Sequence, residues 1–291
     1  MGAGNSTVRM HVQHDAPNGA EALLAPYMRR WGLIPDGPSF VTATSVLLPV
    51  VSGGRAAILK VATEREEELG GRLMVWWNGR GSAPVYEYDG PAIVLERAQG
   101  TRSLTEMATA GMAHDDAATR VLCAVATRLH AVVGEPPDGL VGLDRWFEEL
   151  FVHAETRGGF FAGAASVARD LIVDQREQVV LHGDVHHGNV LDFGADGWAA
   201  IDPKHVTGDR AFDFANIFCN PDARVALAPG RLERQLAIVC ELTGIERERM
   251  TAWIVAWCGL SAAWGERSDG DAGHALEVGL VAERLLRGSS G

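Results

Sequence analysis

Residues 179–203 read VVLHGDVHHGNVLDFGADGWAAIDP, a stretch in which short apolar runs alternate with clusters of polar and charged residues. Val179–Leu181 predicts one short strand, and Val190–Leu191 and Trp198–Ile201 predict two more, joined by turn chemistry at Gly194–Gly197. Asp184, Asn189 five residues later and Asp202 thirteen residues after that lie on or beside these runs, so a hairpin brings the three side chains to one end. Phosphoryl transfer needs a carboxylate that orients the attacking hydroxyl and accepts its proton, and oxygen ligands for a Mg²⁺ ion spanning the phosphates. Asp184 suits the first role, and Asn189 and Asp202 suit the second. His182 reads as an orienting hydrogen-bonder beside Asp184. A transition-metal cluster of His182, His186 and His187 is the weaker reading, because the flanking strands argue against the helix that i, i+4 ligation needs.

Upstream of this stretch the periodicity is mixed. Leu23, Leu24, Tyr27, Met28 and Trp31 recur at helical spacing over Glu21–Trp31, after a polar stretch at 1–18 expected to be a frayed tail. Ser39–Val51 and Ala56–Val61 predict strands paired across a Ser52-Gly53-Gly54 turn. A helix over Glu64–Trp77 and strands over Pro84–Tyr88 and Ala92–Glu96 follow. Beyond residue 100 the signals are mostly helical: Leu104–Met112, Ala117–Val132, Leu143–Thr156, Ala162–Gln175, Leu232–Thr243, Arg249–Trp264 and Ala272–Arg287. The fold class is therefore α+β, with a small β-rich half ahead of a larger α-rich half.

Bulk properties narrow the function classes. A formal charge of -12 repels nucleic acid and anionic membrane and attracts cationic small molecules. No apolar run reaches the roughly 18 residues of a membrane span, and the N-terminus lacks the pattern of an export signal, so a cytoplasmic protein without a membrane partner is expected. Cys123, Cys219, Cys240 and Cys258 lie far apart with no CxxC pair and read as free, buried thiols.

The string HGDxHxxN followed by a strand ending in IDP resembles the signature of the aminoglycoside phosphotransferase family, relatives of the protein kinases. The closer resemblance is to its streptomycin 6-phosphotransferase and hydroxyurea phosphotransferase branch. It extends through Trp31-Gly32-Leu33, Asp36-Gly37, Leu59-Lys60-Val61, Trp77–Gly81, Leu95–Ala98, Gly100, Arg102-Ser103-Leu104, Ala200–Lys204, Gly208-Asp209 and Phe212–Asn216. The resemblance implies a bilobal protein-kinase-like fold, with a nucleotide-binding lobe over residues 1–98 and a catalytic, acceptor-binding lobe over 99–291. It implies ATP and Mg²⁺ as cofactors. Lys60 would pair the α/β-phosphates, held by Glu67 or its rival Glu68. Thr42–Ser45 would turn over the phosphates, and backbone groups of Leu95–Ala98, Glu96 and Ala98 among them, would hold the adenine. Asp213 would brace the catalytic loop. No Ala-Pro-Glu segment follows Asp202 and Phe212 comes only ten residues later, which leaves little room for a peptide-docking segment.

The implied reaction moves the γ-phosphate of ATP onto a hydroxyl of a small, cationic acceptor, of which a streptomycin-type aminoglycoside is the first expectation. Hydroxyurea or another small metabolite is the alternative, and a catalytically weak nucleotide-binding regulator the second alternative. Glu148, Glu149, Glu155, Glu266, Asp269 and Asp271 are candidate partners for guanidinium or ammonium groups, and Trp253–Trp264 a candidate acceptor wall.

Overall fold

The computed structural model describes residues 19–269 and 271–289, so the tail expected at 1–18 lies outside the described residues. Its first half is built on a sheet. Helix α1 (Ala20–Arg30) precedes β1 (Ile34–Pro35), β2 (Phe40–Val41), β3 (Ser45–Ser52), β4 (Arg55–Ala62), α2 (Arg65–Trp77), β5 (Val85–Asp89) and β6 (Ala92–Glu96). The strands pair antiparallel in the order β1-β3-β4-β6-β5, with β2 also on β3. The run expected as one strand over Ser39–Val51 is two, because the chain turns at residues 42–44, where Thr42 N donates to Ser45 O at 2.9 Å. Gly53 and Gly54, both at positive φ, make the tight turn at the opposite end of β3–β4.

Period-two alternation gives this sheet two different faces. Val46, Leu48, Val50, Ala57, Leu59 and Val61 point to a core closed by Leu24 of α1 and Leu33. Lys60 stands between Leu59 and Val61 and so projects from the other face, opposite Leu47 on β3 and Ile93 on β6. That face is covered by α2, whose Met74 packs with Ile93 and Leu95.

The second half comprises α3 (Leu104–Thr109), α4 (Met112–His130), β7 (Val141–Gly142), α5 (Leu143–Trp146), α6 (Glu148–Arg157), α7 (Gly159–Val173), β8 (Gln178–Leu181), β9 (Val190–Asp192), β10 (Trp198–Ala200), β11 (Val206–Asp209), α8 (Ala211–Ala215), α9 (Ala223–Ala226), α10 (Arg231–Thr243), α11 (Arg247–Asp269) and α12 (Gly273–Ser289). The helix expected over Leu143–Thr156 is broken at Phe147, and the one expected to reach Met112 stops at Thr109, ahead of Gly111 at φ 122°. Val206–Asp209, which carried no strand signal, is the central strand of a small sheet ordered β7-β11-β8. Helix α11 is buried on nearly every side from Met250 to Trp264 and packs against α6, α7, α8, α10 and α12, as an apolar helix at the centre of a helical layer must. Among the described residues no helix is long and apolar enough to cross a membrane.

The halves meet on the β9–β10 hairpin. Ala83 N donates to Ala200 O and Ala200 N to Gly81 O, both at 2.9 Å, which adds the segment after α2 to one side of the hairpin. On the other side Gly100 N donates to Asp192 O at 2.8 Å, and the Arg102 guanidinium grips the Asp192 carboxylate through Nε at 2.9 Å and an NH2 group at 2.7 Å. Arg102 also lies over the Trp198 ring, 4.9 Å from its centroid.

Helix α2 approaches the loop after β10 closely because of one residue: a Cβ on Gly70 would sit 2.5 Å from the Pro203 carbonyl oxygen, whereas one on Gly71 would meet only the Tyr88 ring at 3.8 Å. Gly70→Ala is therefore expected to destabilise the fold by about 1–3 kcal/mol. Gly71→Ala gains up to ~1 kcal/mol from helix propensity. Denaturant unfolding of the two variants checks this, and equal behaviour would contradict the close approach of α2 to Pro203.

Candidate active site

Lys60 reaches the cleft from β4, Glu67 from the first turns of α2, and Asp202 from the residue after the β10 strand end. The Lys60 ammonium bonds Glu67 Oε2 at 2.5 Å and also bonds the Asp202 carboxylate. Of the acidic run 66–68, Glu67 is thus the partner of Lys60, while Glu68 turns to Arg72 at 2.8 Å. Burial alone would lower the pKa of Lys60, but the Asp202 and Glu67 charges outweigh it and hold the lysine above its ordinary value. Burial would likewise raise the Asp202 carboxyl, and the Lys60 charge and hydrogen bond pull it below the usual range. Asp202 has φ +62°, a left-handed conformation uncommon outside glycine, so its side chain is held at some backbone cost.

The loop segment 182–189 is braced from beneath by Asp213 on α8. One Asp213 oxygen accepts from His182 N at 2.8 Å and lies 2.7 Å from His130 Nε2; the other accepts from Gly183 N at 2.7 Å. His182 is fully buried, its Nε2 2.9 Å from Ile201 O and its Nδ1 accepting from Asp184 N at 3.2 Å, and its ring stacks on Trp77 of α2. Burial lowers its pKa, so it is a neutral spacer between the loop and the hairpin. The three histidines do not converge. His186 Nδ1 accepts from Gly188 N at 3.0 Å, with its Nε2 3.7 Å from Asp184, while His187 points into the core with neither nitrogen paired.

The Asp184 carboxylate is held on both oxygens. Asn216 Nδ2 donates to Oδ1 at 2.7 Å, and Asn189 Nδ2 donates to Oδ2 at 3.2 Å and to the Asp184 carbonyl at 3.0 Å. The Asn216 amide is itself oriented, because its Oδ1 accepts from Asn220 Nδ2 at 2.8 Å. Using its NH₂ on Asp184 leaves the Asn189 amide oxygen as an acceptor beside the cleft. Ile201 N donates to Asn189 O at 2.9 Å, so Asn189 and Asp202 lie at the same end of the hairpin. An amide oxygen and a carboxylate form an all-oxygen donor set, the chemistry a hard divalent ion such as Mg²⁺ takes.

Two cleft residues were not singled out from the sequence. Lys204 Nζ lies 3.7 Å from Glu67 Oε1 and 4.0 Å from Glu66 Oε1. Burial together with the Glu67 and Asp184 charges pushes Glu66 up against the pull of Lys204. Both residues stood in motifs already in view, the Glu66–Glu68 run and Ala200–Lys204, but nothing local to either says that it faces the cleft.

Of the remaining expected residues, Ser45 opens β3 fully buried, opposite Ala62 and at the Lys60 end of the hairpin. Glu96 ends β6, its carboxylate accepting from Tyr86 OH at 3.0 Å and its N–H donating to Pro84 O at 2.9 Å. Ala98 packs against the cluster of Met74, Ile93, Leu95 and Phe193 that spans the sheet and the hairpin. Of the acids expected to meet the acceptor, Glu148 and Glu155 on α6 are exposed and take part in no described ion pair. Glu266 is tied to His153 at 2.9 Å and Arg157 at 2.7 Å, and Glu149 to Arg267 at 3.3 Å. These acids neutralise cations within the α6–α11 contact. Asp271 caps Gly273 N at 3.0 Å, and the Asp269 side chain lies outside the described residues. Trp253 is fully buried among Phe147 and Phe212, so it is core and not wall.

A sheet-based half joined by a short linker to a helical half, with lysine, glutamate and two aspartates converging between them, defines a protein-kinase-like phosphotransferase. A family model described as aminoglycoside/hydroxyurea antibiotic resistance kinase matches residues 30–270. A streptomycin 3''-kinase of Klebsiella pneumoniae is 47% identical over 268 residues, 89% of this chain and 100% of that protein. A streptomycin 6-kinase of Streptomyces griseus is 30% identical over 291 aligned residues, 92% of this chain and 90% of that one. A thermostable mutant of an aminoglycoside phosphotransferase, solved with ADP and hygromycin B, shares the fold with a TM-score of 0.62 at 17% identity, covering 93% of this chain and 99% of that one. The chain belongs to the aminoglycoside/hydroxyurea antibiotic resistance kinase family. It is a small-molecule kinase.

Asn216 holds Asp184, the residue expected to act as the catalytic carboxylate. Asn216→Ala is expected to lower kcat by about one to two orders of magnitude, since small misplacement of a reacting group is costly, with nucleotide affinity unchanged. Steady-state kinetics with nucleotide titration measure it; a wild-type kcat would show that Asn189 alone suffices.

Proposed function

We propose that this kinase inactivates streptomycin by moving the γ-phosphate of ATP onto its 3''-hydroxyl. The observation that carries the phosphotransfer reading is the joining of Lys60 to Glu67 and Asp202 in one cleft with Asp184. The acceptor is supported by the 47% identity to a streptomycin 3''-kinase along its whole length, against 30% for a 6-kinase, which favours the 3'' position over the 6 position. Charge supports it as well. Glu66, Glu67, Asp184 and Asp202 face Lys60 and Lys204, an excess of two negative charges that draws Mg²⁺ and the guanidinium groups of the acceptor.

In this mechanism Lys60, fixed by Glu67, contacts the α/β-phosphates. The lobes divide near residue 98. The Thr42–Ser45 turn would lie over the phosphates, and Glu96 to Ala98 would border the adenine, next to the apolar cluster of Ile93, Leu95 and Ile201. Asn189 and Asp202 would hold Mg²⁺, which would supply positive charge against the phosphates. Asp184, its oxygens steadied by Asn216 and Asn189, retains lone pairs for the acceptor hydroxyl, aligns it and takes its proton. The four cysteines are free thiols, and the Cys219 and Cys258 sulfurs lie in contact at 3.5 Å.

The purified protein with Mg²⁺ and ATP is expected to phosphorylate streptomycin, with the phosphate located at the 3''-oxygen by two-dimensional phosphorus–proton NMR. A product at the 6-oxygen overturns the position, and turnover of hydroxyurea in place of streptomycin overturns the acceptor. Asp184→Asn keeps shape and removes charge, so kcat should fall by about two to four orders of magnitude with little change in ATP affinity. A change confined to KM would remove Asp184 from the reacting atoms.

A further inference from the structure

The cleft holds two lysines, and only one of them is used up by its neighbours. Lys60 makes hydrogen-bonded ion pairs to Glu67 and Asp202. Lys204 stands 3.7 Å and 4.0 Å from the nearest carboxylate oxygens, beyond hydrogen-bond length, and no described hydrogen bond uses its ammonium. Burial opposes its charge, and the Asp184, Glu67, Asp202 and Glu66 charges outweigh burial and hold the lysine above its ordinary value.

Its placement is rigid at the backbone end. Lys204 N donates to His182 O at 2.7 Å, and a Cβ on Gly183 would lie 2.8 Å from the Lys204 Cβ. Gly183, at φ +80°, therefore lets the lysine stem lie across the loop directly before Asp184. The stem is packed, with the side chain only 16% exposed; it starts beside the residue before Asp184 and brings its head to 3.7 Å from Glu67, the carboxylate that pairs with Lys60. Under the proposed reading, Asp184 and Lys60 mark the acceptor hydroxyl and the α/β-phosphates, and what lies between them is the phosphoryl group in flight.

We propose that Lys204 is a further catalytic residue, whose ammonium binds the γ-phosphate of ATP and stays on its equatorial oxygens through transfer. The inference rests on the phosphotransferase reading. In the step itself a bond forms between the acceptor oxygen and the γ-phosphorus, the bond from that phosphorus to the β,γ-bridging oxygen breaks with its electron pair leaving on ADP, and the hydroxyl proton passes to Asp184. Lys204 neither gives nor takes a proton. It supplies three N–H donors to oxygens whose charge shifts as the phosphoryl group loosens, where a preorganised cation acts most strongly. Lys60 differs in kind, because its site is shared by ATP and ADP alike.

That difference supplies a test independent of the acceptor. Calorimetric titration of the full chain with Mg·AMP-PNP and Mg·ADP is made on wild type, Lys204→Met, Lys204→Arg and Lys60→Met. Lys204→Met is expected to weaken AMP-PNP by about tenfold, the order lost with one charge-assisted phosphate contact, and to leave ADP within twofold. Lys60→Met should weaken both nucleotides, and Lys204→Arg should recover part of the AMP-PNP affinity. With streptomycin as acceptor, Lys204→Met should lower kcat by about a hundredfold at unchanged acceptor KM. Equal loss of both nucleotides, or no loss of either, overturns the proposal and makes Lys204 a structural counter-ion for Glu66 and Glu67. If wild type fails to phosphorylate streptomycin, the acceptor reading falls while the AMP-PNP to ADP ratio still decides the role of Lys204.

Discussion

The Lys60 ammonium, shared between Glu67 and Asp202, is the contact on which the arrangement of this protein depends. It joins a strand, a helix and the end of the β9–β10 hairpin, segments up to 142 residues apart in sequence. Taking such charges out of water is costly, and removing one partner of a buried pair costs about 3–5 kcal/mol because the other is left uncompensated. The penalty is smaller on the Asp202 side, whose carboxylate keeps contact with solvent. A cluster of this kind is a poor source of stability and a good way to specify one relative placement of three elements. The rest of the fold serves that placement. Gly70 lets α2 come down on Pro203, Trp77 stacks on His182, and the hairpin is fastened on one edge by Gly81–Ala83 and on the other by Arg102.

A second set of contacts does the same for Asp184. Asp213 ties down the two residues before it, and Asn216 and Asn189 hold its two carboxylate oxygens. All of these are short-range bonds from well-packed elements, and none draws on a mobile loop. The carboxylate is therefore oriented before any ligand arrives, which lowers the reorganisation a reaction would require.

The electrostatics of the cleft differ from what a count of acidic residues implies. Of the carboxylates on α6 and α11 that looked available to a cationic acceptor, Glu266 and Glu149 are engaged by His153, Arg157 and Arg267, while Glu148 and Glu155 stay exposed. The unbalanced negative charge lies instead at the head of α2 and on the loop ends, at Glu66, Glu67, Asp184 and Asp202. A net charge of -12 over the chain thus says less about acceptor binding than four carboxylates against two ammoniums do at one place.

Much of the fold was legible because its signals are local. Alternation in Ala56–Val61, the turn glycines at 53 and 54, and helical spacing over Glu64–Trp77 each report a period that backbone geometry imposes, and the elements lie where those periods put them. The residues of HGDVHHGN and IDP come together for the same reason: Asp184, Asn189 and Asp202 are close in sequence and one hairpin suffices to gather them. Elements made by long-range pairing left no such trace. Val206–Asp209 is a strand only because β7 and β8 flank it, and the helix over 143–156 breaks where Phe147 turns into the core. The choice of Glu67 over Glu68, the approach of Asn216 to Asp184 and the entry of Lys204 into the cleft likewise depend on which helix face and which loop edge meet across the molecule. Residue identity supplied the charges and the hydrogen-bonding groups, and the sequence alone determined their kind and their local spacing. Tertiary packing decided which of them became neighbours, because contacts between segments far apart in the chain are set by shape and burial and not by local period.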